Sequence, residues 1–216
     1  ICIYFRISTS GLQNSIMMEK NITGVLLAAG MGSRFGGDKL LHTLKGDIEI
    51  GLRSALNLKA HVEHVICVVR PNDHGLKNLY ENNGFDVVEN PQHLQGLSSS
   101  IITGIQASAD SDYWILALAD MPFIQHATYE MLIQHIPKHP HSSTPIIRPR
   151  LSQQGNAPQA GHPVLFPQSF KTELLTLNGD SGAKALFKAH PEQINWLDTS
   201  DDGVMKDIDT RQALPA

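Results

Sequence analysis

Cysteine is nearly absent from this sequence. Its two cysteines, Cys2 and Cys67, make neither a disulfide framework nor a zinc-binding pattern. That excludes a small covalently stapled domain and fits a reducing, cytoplasmic setting. No apolar run approaches the length of a bilayer span, so a membrane-spanning helix is not expected. Basic blocks are also missing: 17 Lys and Arg against 21 Asp and Glu leave a formal charge of -4, which argues against a nucleic acid partner. An anionic small substrate stays open, because a few local cations can hold phosphate inside a mildly acidic protein. Histidine is plentiful, at 11 residues, but scattered with no His-x-x-x-His spacing, so these side chains read as solvated or locally hydrogen-bonded.

What remains is ordinary soluble material. With 41% hydrophobic residues over 216 positions, the chain can bury a core of one domain without staples. Residues 1–17 lack a helical or strand period. The apolar stretch Ile1 to Phe5 is too short, and lacks the preceding basic residues, for a signal peptide. Residues 1–17 are therefore expected to be an unstructured leader or upstream extension, with residues 18–216 forming the domain.

Short apolar runs alternate with amphipathic segments. Val25 to Ala28, Val65 to Val69, Phe85 to Val88 and Tyr113 to Leu118 read as buried strands, the kind that sit inside a parallel sheet covered on both faces. Leu97, Ile101 and Ile105 recur every four residues and mark a helix, with Ser98, Ser99 and Ser100 as candidate caps. A second helix is expected from His126 to Ile136, stopped by Pro137, and others over Ser169 to Leu177 and Ser181 to Ala189. The stretch from Lys138 to Pro163 reads as a long loop with a hairpin and one short strand at Ile146 and Ile147. A last strand is expected through Lys206 to Asp209. The alternation predicts a doubly wound, mostly parallel α/β sheet with a small β excursion near 145–166.

The first strand runs straight into Leu27-Ala28-Ala29-Gly30-Met31-Gly32-Ser33-Arg34-Phe35-Gly36-Gly37-Asp38-Lys39. Glycines let the main chain approach a ligand and offer its N–H groups, and Arg34 and Lys39 add two cations; together they suit a triphosphate. A Walker loop is excluded, since no Gly-Lys-Ser/Thr follows at the required distance. A dinucleotide fingerprint is imitated only loosely, as Gly30-x-Gly32-x-x-x-Gly36, with one residue too many. Arg70 stands after the second strand, where an NADP enzyme places a basic residue, but the strand comes about twice as late as expected.

The loop resembles the signature of nucleotidyltransferases related to molybdenum cofactor cytidylyltransferase, and further stretches match in order. Asn90-Pro91 followed by Gly96-Leu97-Ser98-Ser99-Ser100 resembles the family's central motif, and Leu118-Ala119-Asp120-Met121-Pro122 its metal-binding segment. Gly161-His162-Pro163, Gly179-Asp180-Ser181-Gly182 and Asp207-Ile208-Asp209-Thr210 resemble its late motifs. The likeness spans residues 22–213 and implies a Rossmann-like, GT-A-like single domain that moves CMP from CTP to the terminal phosphate of molybdopterin.

By that resemblance, Leu27, Ala28, Ala29, Gly30, Gly32, Ser33, Arg34 and Lys39 hold the nucleotide, with Ser98, Ser99 and Ser100 at its base. Arg34, Lys39 and Asp120 serve the chemistry. Asp120 with Asp209 or Asp207 holds Mg2+, and Gly161, His162, Pro163, Asp180 and Ser181 face the acceptor. A molybdenum hydroxylase apoenzyme or its chaperone is the implied protein partner. Relatives that use GTP resemble Leu-Ala-Gly-Gly where this chain has Leu27-Ala28-Ala29-Gly30, and the added methyl favours cytidine. The residues alone allow plainer readings. Asp120 would cap a turn, the serines a helix, and His162 would be a loop histidine. The chain departs from the family pattern at Gly46 to Ile50, in the elongated Ser152 to Ala160 and at Arg211 to Ala213, and the first of these bears on the acceptor pocket. Rivals are a guanylyltransferase of the same cofactor, a cytidylyltransferase for another phosphorylated molecule, and a non-catalytic nucleotide-binding protein.

Overall fold

The apolar run before the glycine loop becomes β1 (Ile22–Leu27), the innermost parallel strand of the sheet. The computed structural model describes residues 20–44, 46, 48–138, 144–153, 155 and 157–214. The expected leader, residues 1–17, lies outside them. In chain order β1 is followed by a two-stranded hairpin of β2 (Thr43–Leu44) and β3 (Ile48–Glu49), then α1 (Ile50–Lys59), β4 (His64–Val69), α2 (His74–Asn82), β5 (Asp86–Glu89), α3 (Leu97–Ala107), β6 (Tyr113–Leu118) and α4 (His126–Gln134). The second half holds β7 (Ile146–Leu151), β8 (Gln159–Ala160), β9 (Val164–Pro167), α5 (Lys171–Leu175), α6 (Lys184–Ala189) and β10 (Ile194–Thr199).

Seven strands run in the order β10-β7-β9-β6-β1-β4-β5, with β8 paired to β7, giving an eight-stranded sheet among the described residues. β1 pairs in parallel with both β4 and β6, so the chain winds outward through β4 and β5 and returns to the other side of β1. β9 runs antiparallel between β6 and β7. The doubly wound, mostly parallel architecture expected from the alternation is the one found.

Alternate residues of β1 serve two cores, as strand geometry requires. Leu26 and Ala28 face the side covered by α1, α2 and α4, while Val25 and Leu27 face α3, α5 and α6. Trp114 and Leu116 on β6 join the second core, and Tyr113, Ile115 and Ala117 the first. Gly104 explains how closely α3 sits on the sheet, because a Cβ there would lie 2.3 Å from Val25 Cγ1.

Several local expectations need correcting. Lys206 to Asp209 is not a strand but an irregular segment, pinned by the buried Ile208, which packs with Phe35 and Ile50 and donates its N–H to Asp120 O at 2.9 Å. The last strand is instead β10, which pairs in parallel with β7. The short strand at Ile146 and Ile147 extends to six residues despite Pro149, and it lies within the main sheet between β9 and β10. Part of the expected long loop, residues 139–143, 154 and 156, lies outside the described residues. The serines of α3 do not cap it: Gly96 holds the N-cap position, without a side-chain bond. Ser98, Ser99 and Ser100 are already in the first turn and turn inward.

Among the described residues, no helix is long and apolar enough to cross a membrane.

Candidate active site

β1 and β6 are adjacent parallel strands from which the chain proceeds in opposite directions along the sheet, to β4 beyond β1 and to β7 on the far side of β6. The crevice beyond their carboxyl ends is where such sheets bind ligands. The chain leaves the sheet after Ala28, whose N–H bonds Val68 O at 2.8 Å, while Leu27 O accepts from Ala119 N at 3.2 Å. Leu27, Ala28 and Ala29 are buried, and Gly30 is exposed. The loop then makes a single 3-10 turn over Ser33–Phe35, flanked by Gly32 at φ 57° and Gly36 at φ 84°, conformations that a side chain resists. Phe35 is buried against Ile50 and Ile208 and anchors the loop, leaving its glycines at the surface. A second 3-10 turn, Lys39–Leu41, carries Lys39 back over the sheet.

Lys39 meets the end of β6. Its Nζ lies 2.7 Å from Asp120 Oδ2 and 3.5 Å from Asp209 Oδ1, and Arg34 Nη1 lies 2.6 Å from Asp209 Oδ2. Lys39 is 10% exposed at its side chain and Arg34 77%, so Lys39 is the cation held in place and Arg34 the one free to swing. One carboxylate oxygen from each of Asp120, Asp207 and Asp209 lies within 4.8 Å of the others. The irregular segment thus brings both late aspartates to Asp120 without a strand. Oxygen donors in this number suit a hard divalent cation such as Mg2+ or Mn2+, which takes one or two carboxylates together with phosphate oxygens. Three carboxylates against two cations leave the cluster net negative, which attracts a divalent cation, although the Lys39 ammonium competes for the same oxygens.

The loop also opens a cavity of about 160 Å³ that reaches from Gly30, Gly32 and Asp120 to Arg70 and Asp73. Arg70 Nε donates to Asp73 Oδ2 at 3.2 Å, and Asp73 caps α2 through Leu76 N.

Ser98, Ser99 and Ser100 stand at the start of α3 with little exposed surface. Ser98 Oγ donates to Asn178 O at 3.0 Å, and Asn90 Nδ2 donates to Ser99 Oγ at 2.8 Å and to Ser100 Oγ at 3.0 Å. Asn90 is a residue whose role the sequence reading missed. Its place directly after β5 and before Pro91 was the available signal. Asp180 and Ser181 are exposed in a turn ahead of α6, and the start of α3 leans on that turn through Ser98 N to Gly179 O at 3.2 Å.

Gly161, His162 and Pro163 lead into β9, with a cis peptide between His162 and Pro163. Gly161 is packed against Val204, and His162 N donates to Val204 O at 2.9 Å. The His162 imidazole is pushed down to about 4, first by burial and then by the charges of Arg148 and Lys184. It stays neutral in the folded chain yet protonates near its ordinary 6.5 when unfolded. Its contribution to stability is therefore whole above pH 6.5 and is lost as pH falls through about 4. Urea unfolding between pH 7 and about pH 4 is expected to show a smaller acid loss for His162→Gln than for wild type. Parallel profiles would remove this account.

Fold and site together define an α/β transferase of the Rossmann-like nucleotidyltransferase type. The chain belongs to the MobA-like NTP transferase domain family, whose pattern matches residues 24–194, and it is a nucleotidyltransferase. Nicotine blue oxidoreductase of Paenarthrobacter nicotinovorans is 27% identical over 198 residues, spanning 89% of this chain and 94% of that one. A probable molybdenum cofactor guanylyltransferase of Natranaerobius thermophilus is 34% identical over 125 residues, spanning 56% of this chain and 58% of that one. Among solved structures, Rv0371c of Mycobacterium tuberculosis H37Rv shares the fold with a TM-score of 0.74 at 24% identity, over 90% of this chain and 95% of that one. The same mycobacterial protein has been solved as a complex with manganese, with a TM-score of 0.65 at 21% identity over 83% of this chain and 89% of that one.

Proposed function

We propose that this enzyme transfers CMP from CTP to the terminal phosphate of molybdopterin, releasing pyrophosphate, with Mg2+ as its cofactor. The observation that carries the reading is the convergence of Lys39, Arg34 and three aspartates at the mouth of the glycine loop. Glycine-loop N–H groups, Arg34 and Lys39 take the triphosphate, and Lys39 offsets charge on the α-phosphate as it develops. Asp120 with Asp209 holds the divalent cation, which supplies Lewis-acid polarisation of the α-phosphate when bound. The acceptor's phosphate oxygen is already anionic, so it attacks the α-phosphorus in line and no general base is needed. Pyrophosphate leaves toward the loop.

Ala29 supports cytidine, since its methyl stands where GTP-using relatives resemble glycine. The relative named as a guanylyltransferase pulls the other way, and the mycobacterial neighbour's manganese supports a divalent cation without choosing Mg2+. A molybdenum hydroxylase or its chaperone would receive the product. The test is pyrophosphate release with each of the four triphosphates, with and without molybdopterin, in Mg2+. CTP-specific, acceptor-dependent release is the expected result; equal or greater release with GTP overturns the choice of base.

Two observations favour a second reading, nicotinamide dinucleotide binding. Arg70 lines the cavity that the glycine loop opens, and a relative matching almost the whole chain is named as an oxidoreductase. Against it, the Arg70 guanidinium is bonded to Asp73, whose carboxylate would repel a 2′-phosphate there. A thermal shift with NADPH, and none with CTP and Mg2+, would establish the second reading over the first.

A further inference from the structure

Arg148 is a half-buried charge that has no counter-ion among the described residues. It projects from β7 to the side covered by α6, where its guanidinium stacks over Phe187 at 4.3 Å and Trp196 at 5.7 Å from the ring centroids. Its Nε donates to Gly161 O at 3.0 Å. Among the described residues no carboxylate pairs with it. Burial alone brings its pKa down to about 10. A desolvated cation held this way is costly unless something neutralises it. Beside it stands His162, whose Nδ1 is buried and has no partner. Lys184, exposed at the start of α6 and likewise unpaired among the described residues, acts on the same imidazole. Arg148 and a neutral imidazole therefore adjoin, within the field of Lys184, where among the described residues no acidic side chain forms an ion pair with either cation.

The location is informative. β9 runs antiparallel to β6 with Val164 opposite Leu116, so His162 reaches the carboxyl edge of the sheet one strand from Asp120. β1, with its glycine loop, lies on the other side of β6. In-line displacement requires the attacking group to approach the α-phosphorus opposite the leaving pyrophosphate. With the triphosphate on the loop, that approach comes from the side of β9 and β7.

We propose that Arg148, together with His162 and Lys184, forms a second anion seat that holds a phosphate monoester of the acceptor. The stacked, planar guanidinium is pre-oriented for bidentate contact with phosphate oxygens. Lys184 adds a mobile charge, and the unpartnered Nδ1 completes the ring of polar contacts. The role in acceptor binding rests on the transfer reaction proposed above; the anion seat itself does not.

Inorganic phosphate is the probe, followed in the full chain by the nitrogen resonances of the His162 imidazole, assigned against His162→Gln. A saturable shift is expected in wild type. Phosphate affinity at this reporter is expected to fall about tenfold or more in Arg148→Leu and in Lys184→Met. In Lys39→Ala, which alters the cluster of Asp120 and Asp209 and not this seat, the response is expected to be unchanged. Lys184 is exposed, so Lys184→Met keeps the test available should Arg148→Leu fail to fold. No response in wild type, or a response lost in Lys39→Ala and retained in Arg148→Leu and Lys184→Met, overturns the proposal. If phosphate shifts His162 as expected while no triphosphate is turned over, the transfer reading fails and the seat stands.

Discussion

Lys39→Ala is expected to lower pyrophosphate release by about 10²- to 10³-fold while leaving the fold intact, the scale seen when one preorganised donor to a developing charge is removed. The geometry explains both halves. Lys39 Nζ bridges Asp120 and Asp209 with only 10% of its side chain exposed, and among the described residues no other cation pairs with Asp120. Arg34 is far more exposed and reaches only Asp209. Fold stability rests elsewhere, on Phe35, Ile50 and Ile208, which anchor the loop from beneath. Removing the ammonium also frees carboxylate oxygens that a divalent cation would use. Affinity for Mn2+ alone is therefore expected to rise in Lys39→Ala even as turnover falls, a combination that a merely structural lysine would not produce. Mn2+ titration followed by electron paramagnetic resonance, beside the rate, separates the cases. A variant with near wild-type rate would end the assignment.

Asp120→Asn is the second large effect. Its carboxylate leaves the carboxyl end of β6, where the backbone is fixed by Ile208 N on Asp120 O, and it is the point on which Lys39 and both late aspartates converge. Substitution is expected to cost about 10³-fold or more in turnover, roughly 4 kcal/mol of transition-state stabilisation. Excess Mg2+ should recover little of it. Asp209→Asn is expected to cost nearly as much, since Asp209 touches both Arg34 and Lys39. Asp207 is exposed and makes no ion pair among the described residues, so Asp207→Asn is expected to stay within about tenfold of wild type. An Asp207→Asn loss as large as that of Asp120→Asn would move the metal site toward Asp207.

Not every element was equally readable before the structure. The glycine loop was legible because its demands are local. Positive φ at Gly32 and Gly36 is written into residue type, as are the cations at 34 and 39. The central strands were legible because continuous apolar runs have few places to go other than the middle of a covered sheet. β10 was not, since Asn195 and Asp198 interrupt its apolar pattern. It is an edge strand, held by pairing with β7 on one side only. The serines of α3 carry helix-cap chemistry, and only the approach of Asn90 and the 178–179 turn shows them bonded inward instead.

Composition and local pattern alone settled a doubly wound α/β domain with a glycine-rich loop after its first strand, because backbone conformation and strand burial are properties of neighbouring residues. Tertiary structure alone decided that Arg34 meets Asp209, that Asp207 and Asp209 reach Asp120 without a strand, and that Arg148 stands beside His162 with no carboxylate partner among the described residues. These contacts join residues far apart in the chain, and their energies come from burial and charge at short range, which spacing along a sequence does not encode.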